Sequence, residues 1–109
     1  MKSNLEKAFD DYVGMVGIDI RSKRRYSELV EARAAFHNIC STLFKRGFTA
    51  SLLNVDRTTT FNYERKEQGY IMTSLWYVQC LDMARVSLKK NGFSEKLMNK
   101  QSINAIKGE

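Results

Sequence analysis

Asp56, Arg57, Thr58, Thr59 and Asn62 are the residues of this 109-residue chain whose types and spacing point most clearly to chemistry. Arg, Thr and Asn side chains hydrogen-bond base edges in a DNA major groove, and recognition helices read with their N-terminal turns. The surrounding stretch, FTASLLNVDRTTTFNYERK from Phe48 to Lys66, reads as a helix-turn-helix over 48–67. Ala50 is small where two helices must cross closely. Asn54 falls at the turn, and Asn is among the few non-glycine residues that readily enter the left-handed region. Val55 would plug the corner and Asp56 would N-cap the second helix. Thr60 and Tyr63 should face the core. Phe61 either packs inward or meets a thymine methyl group. Arg65 and Lys66, one turn later, are placed for phosphates. Taken alone, the same pattern also suits an ordinary helical hairpin with a solvated basic face.

A second basic feature is RSKRR, Arg21 to Arg25, four of whose five residues are cationic. Ser22, Lys23, Arg24 and Arg25 lie between two helices rather than in a tail. A loop of this kind near a recognition helix reaches phosphates or the adjacent minor groove, where Arg is favoured. Lys45, Arg46, Arg65 and Lys66 add candidate phosphate contacts. The formal charge of +6 fits a polyanionic partner, with nucleic acid first and an anionic membrane surface second.

Catalytic patterns are missing. There is no phosphate-cradling GxxxxGK or GxGxxG. One His and two isolated Cys do not make a zinc set, and no nucleophile, base and orienter trio is visible. Asp10 and Asp11 are adjacent and do not face one another on a helix. His37, the only histidine, reads as a surface or packing residue. Cys40 and Cys80 lie in apolar helical stretches and read as reduced core thiols. No catalytic residue, metal or cofactor is expected. No apolar run has membrane-spanning length, and MKSNLEKAFDD lacks a signal-peptide core, so a soluble, cytoplasmic protein is expected.

The elements that must position these residues are helical. Proline is absent, and no sustained alternation of β-branched residues marks a strand. The expectation is an all-α fold, a single domain over 1–93 with a weakly structured tail over 94–109. Leu5, Ala8, Phe9, Tyr12 and Val13 share one face of a first helix over 3–14, capped by Ser3 or Asn4 and closed by Gly14 and Gly17. A helix over 27–46, N-capped by Ser27, presents Leu29, Ala32, Phe36, Ile39, Cys40, Leu43 and Phe44. Lys45 and Arg46 would complement its C-terminus before Gly47. The recognition helix should run from Asp56 to about Gln68, where Gly69 interrupts it. A long apolar helix over 70–90 follows, with Ile71, Met72, Leu75, Trp76, Cys80, Met83 and Val86 on more than one face. Either it is the central core element or one face of residues 70–88 docks a protein or a second copy.

In order, Ser22-Lys23-Arg24-Arg25, Val30-Glu31-Ala32-Arg33-Ala34-Ala35-Phe36 and Val55-Asp56-Arg57-Thr58-Thr59-Thr60 resemble the motifs of the C-terminal DNA-binding domain of the bacterial replication initiator DnaA. That family carries an SKRR-like loop, an xxxARxxAM-like helix and an RDHTTV-type recognition motif. The resemblance covers residues 4 to 66. It implies a Trp-repressor-like helical fold that binds double-stranded DNA at a short box. It implies that Arg25 enters the minor groove, that Asp56, Thr58 and Thr59 approach bases, and that Arg33 lies near phosphate. Val55 stands where the motif opens with Arg, Arg57 replaces a His, and Asn62 stands where a second His is common. These departures bear on which sequence is read rather than on the mode of binding. The family's ATPase module has no counterpart here, which fits a small phage or mobile-element protein or a regulator at initiator-like boxes. The expected function is sequence-preferring DNA binding in replication initiation or its regulation. A transcriptional regulator and a helical protein-interaction module are the alternatives.

Overall fold

A computed structural model describes residues 3–22, 26–41 and 43–93, apart from the side chain of Arg46. They form α1 (Asn4–Val16), α2 (Ser27–Cys40), α3 (Arg46–Leu53), α4 (Arg57–Thr73) and α5 (Leu75–Lys90). The fold is all-α, with no strand among the described residues. None of the described helices is long and apolar enough to cross a membrane. The expected tail over 94–109 lies outside the described residues.

Local chemistry sets the ends of α1. Ser3 Oγ accepts from the Glu6 N–H at 3.1 Å and the Glu6 carboxylate accepts from the Ser3 N–H, a reciprocal capping box. Gly17 closes the helix with φ of 77°, a conformation cheap for glycine. Gly14 lies inside the helix instead of ending it.

The helix buried on every side is α2, rather than the α5 region that the apolar composition favoured. Every residue from Ala32 to Cys40 is buried. Ala32, Ala34 and Ala35 keep the surface of α2 low, so that neighbouring helices approach it closely. Phe36 meets Phe9 and Tyr12 of α1 at ring-centroid distances of 5.1 and 4.9 Å, within the range of favourable aromatic pairs. The Tyr12 hydroxyl donates to the Ala32 carbonyl at 2.6 Å. Burial pushes the Tyr12 hydroxyl and both thiols upward in pKa, Cys80 to about 11. The thiols are free and buried, as expected of core cysteines.

Several helix boundaries differ from expectation. α1 runs on to Val16, and α2 is N-capped by Tyr26, with no side-chain cap bond, rather than by Ser27. Two helix ends move further. First, α2 ends at Cys40, not at 46. Ser41 Oγ bonds back to the Asn38 carbonyl, and the Leu43 and Phe44 N–H groups both turn onto the Cys40 carbonyl. Phe44 then packs edge-on against Phe93 at 5.3 Å. The turn serves that packing, and it moves Lys45 from a helix C-terminus to the N-cap of α3. Second, α4 runs through Gly69 to Thr73. An interior glycine costs only about 1 kcal/mol, and stacking of Tyr70 on Tyr77 at 5.1 Å holds the extra turn in place. The break comes at Ser74, whose backbone is extended and whose Oγ accepts from the Tyr77 N–H to start α5. The apolar residues 70–90 are therefore split between two helices. α5 packs Tyr77, Cys80, Leu81, Ala84 and Leu88 into the core between α1 and α2. Leu75 and Val86 point outward.

Candidate nucleic-acid interface

The expected helix, tight turn and second helix are present, although α3 already begins at Arg46 and α4 continues to Thr73. Asn54 is left-handed, with φ of 58° and ψ of 46°. The Val55 N–H returns to the Ala50 carbonyl and the Asn54 N–H to Ser51, a Schellman-type closure. Ala50 is buried at the crossing, and Val55 is half-buried against the core. Asp56 occupies the N-cap of α4, but its carboxylate makes no bond to the first turn. The exposed carboxylate is left as an acceptor facing outward.

At 100° per residue, Thr58, Phe61, Asn62 and Arg65 fall on one face of α4, with Arg57 at one margin and Thr59 and Lys66 at the other. Burial agrees with this geometry. Thr60 and Tyr63 are buried, Thr59 and Asn62 are half-buried, and Arg57, Thr58, Phe61, Arg65 and Lys66 are exposed. Phe61 lies outward, which removes the inward-packing reading. Arg65 Nη2 donates to Asn62 Oδ1 at 2.5 Å. The pair therefore presents N–H donors outward, as a guanine edge with its O6 and N7 acceptors requires.

The acids of α4 complete this electrostatic arrangement. Glu64 and Glu67 are the only two on the helix, and both turn inward. Glu64 Oε2 lies 2.8 Å from His37 Nε2, and His37 Nδ1 lies 2.7 Å from Thr49 Oγ1. A carboxylate only accepts, so Nε2 carries the proton it shares with Glu64. Glu67 accepts from the Tyr77 hydroxyl, which itself accepts from Asn38 Nδ2 at 2.9 Å. The outer face of α4 is left with Arg57, Arg65 and Lys66 as its charges.

The order hydroxyl, imidazole, carboxylate matches that of an acyl-transfer relay. Thr49 is only 1% exposed and His37 is fully buried, so no substrate reaches the hydroxyl. Sequence reasoning missed this tie. Its one legible signal is a histidine on the apolar helix α2, preceding Thr49 and Glu64 on helices that must pack against it. Within it, α2 holds both helices of the helix-turn-helix by polar contacts.

Glu67 gives a pH prediction. Burial is the main cause pushing its carboxyl above the ordinary value of 4.5, opposed by hydrogen bonds from Tyr77 and Asn38. In the unfolded chain the group ionises near that ordinary value. Its favourable contribution to the fold is therefore complete below 4.5 and is lost as pH rises through the raised native value. Glu67→Gln keeps an acceptor for Tyr77 and removes the titration. Urea midpoints between pH 4 and 7 should then fall less with rising pH than in the wild type, by about 1 kcal/mol or less.

The other predicted contacts are divided. Lys45 is exposed beside the helix-turn-helix at the start of α3. Lys23, Arg24, Arg25 and the side chain of Arg46 lie outside the described residues. Ser22 is half-buried. Arg21 folds back on α1, 3.2 Å from Asp10 and with its guanidinium 4.7 Å above the Phe9 ring. Arg33 requires a correction. It is 4% exposed, and its Nε donates to the Ile20 carbonyl at 2.6 Å while Nη2 donates to the Ser22 carbonyl. A buried guanidinium bonded to two carbonyls does not reach a phosphate; it anchors the Ile20–Ser22 segment.

Compared with protein-family models, with curated proteins and with solved structures, the chain matches none of them.

Proposed function

We propose that this chain is a sequence-preferring double-stranded DNA-binding protein of the DnaA C-terminal-domain type, acting in replication initiation or its regulation. One observation carries the reading: a left-handed Asn54 turn leads into a helix whose outer face holds Arg57, Thr58, Asn62, Arg65 and Lys66 while both of its acids turn inward. In this reading α4 lies in the major groove, where Asp56 accepts from a cytosine amino group, Arg57 and Asn62 donate to guanine, and Phe61 meets a thymine methyl group. Thr58 and Thr59 contact neighbouring base edges. Lys45, Arg65 and Lys66 bind phosphates, and Arg25 enters the minor groove.

Fluorescence anisotropy with an initiator-type box and a scrambled duplex, at two salt concentrations, tests this. The box should bind more tightly, and both affinities should fall as salt rises. Thr59→Ala or Asn62→Ala should cost about 1–3 kcal/mol on the box for each lost base contact and little on scrambled DNA. Lys66→Ala should weaken both duplexes alike and lower the salt slope by about one. Equal loss on both duplexes from the Asn62 change would remove the base-reading role. No binding to either duplex would remove the DNA reading altogether.

A further inference from the structure

The outward face of α5 has no role in the interface above. Leu75, Gln79, Asp82 and Val86 are all exposed and follow one another at spacings of four, three and four. At 100° per residue they form a single straight stripe within about 60° of arc. Leu75 and Val86, at its two ends, are 73% and 54% exposed. Met72, at the end of α4 beside Leu75, is 77% exposed and Ile71 44%. Isolated surface apolar residues need no explanation, but apolar residues aligned on one helix face do.

The order of the stripe is apolar, amide, carboxylate, apolar, and it is complementary to its own reverse. Two α5 helices laid antiparallel about a two-fold axis midway between Gln79 and Asp82 place Leu75 opposite Val86 of the other copy. Gln79 falls opposite Asp82, whose Oδ1 already accepts from Arg85 Nη1 of its own helix at 3.1 Å and whose Oδ2 would accept from the amide. Each contact occurs twice, as an isologous interface requires. Charge complementarity extends beyond the stripe. The last turn of α4 contains no basic residue, whereas the last turn of α5 contains Lys89 and Lys90. The antiparallel pairing brings these lysines of one copy toward the C-terminal end of α4 in the other, where a helix favours positive charge.

We propose that this face binds a second copy of the chain, with α5 packed antiparallel on α5. One helix pair of this length is a small interface, at the lower end of specific association, so the dimer should be reversible with a Kd of roughly 10–100 µM. The proposal does not rest on DNA binding, and its test contains no DNA.

Sedimentation equilibrium of the full chain from about 5 to 500 µM tests it. The mean mass should rise from one chain toward two. Leu75→Asp places a carboxylate opposite Val86 and should weaken association at least tenfold. It lies at an exposed helix N-terminus, where an acid is tolerated, so the circular dichroism spectrum should not change. Gln79→Lys gives each copy a cation opposite Asp82 and should strengthen association several-fold, with salt reducing the gain. A mass of one chain at every concentration overturns the proposal, whether the face stays bare or is covered by residues beyond Phe93. A dimer that responds to neither variant also overturns it, because the contact then lies elsewhere.

Discussion

His37→Ala should lower the unfolding free energy by about 3 kcal/mol, read as a shift of the urea midpoint at constant slope. The substitution empties a fully buried site and takes from Thr49 and Glu64 the imidazole that bonds both. Truncating one member of a buried polar network costs more than a typical hydrogen bond, because its partners keep their desolvation penalty. The loss should not be confined to stability. Losing the imidazole removes one of the contacts that turn the Glu64 carboxylate inward, and a shift toward the outer face of α4 brings it next to Arg57 and Gln68. A negative charge there opposes phosphate approach. DNA affinity of the folded variant, measured well below its unfolding midpoint, should fall on box and scrambled duplex alike. His37→Ala with wild-type stability would mean that the network adds nothing beyond packing.

Arg33→Ala should cost about 2–4 kcal/mol, for a different reason. The guanidinium bridges the Ile20 and Ser22 carbonyls, and no water replaces it easily at a position only 4% exposed. It also lies near Tyr63, where its charge counters part of the upward pKa push of burial. Arg33→Lys should recover less than half of the loss, because an ammonium on a flexible stem cannot reproduce the rigid two-carbonyl fork. If Arg33 positions the basic loop, Arg33→Lys should also weaken DNA binding without lowering the salt slope by the full unit expected of a lost phosphate contact. A drop of a full unit in slope with unchanged stability would return Arg33 to the phosphate-contacting set.

These expectations show how differently Arg57 and Arg33 were legible in the sequence. Arg57 follows an N-cap in the first turn of a helix, and a residue there is exposed whenever the helix packs by Thr60 and Tyr63. Its placement was readable from periodicity. Arg33 sits in the same alanine-rich helix that the sequence marked as core, and its basic side chain argued for the surface. Only the approach of the Ile20–Ser22 segment, 11 to 13 residues earlier, provided carbonyls that make its burial tolerable. Phe61 was open between two faces because amphipathicity alone does not say how wide the buried arc of α4 is.

The sequence alone determined what local chemistry controls: the all-helical class, the start of α1 at Ser3 or Asn4, the left-handed Asn54 turn, the Asp56 start of α4 and the inward Thr60 and Tyr63. Each depends on residues within about five positions of one another, and their preferences are carried by single side chains or by helical spacing. Only the tertiary structure decided that α2 stops at Cys40, that α4 passes Gly69, that His37 ties Thr49 to Glu64, and that α2 rather than α5 is enclosed. In each case a weak local preference, worth about 1 kcal/mol or less, was overridden by contacts between residues distant in sequence. Such contacts include Phe44 on Phe93, Tyr70 on Tyr77 and the hydrogen bonds of His37. They are set by which helices become neighbours, and helical periodicity records only which face of each helix turns inward.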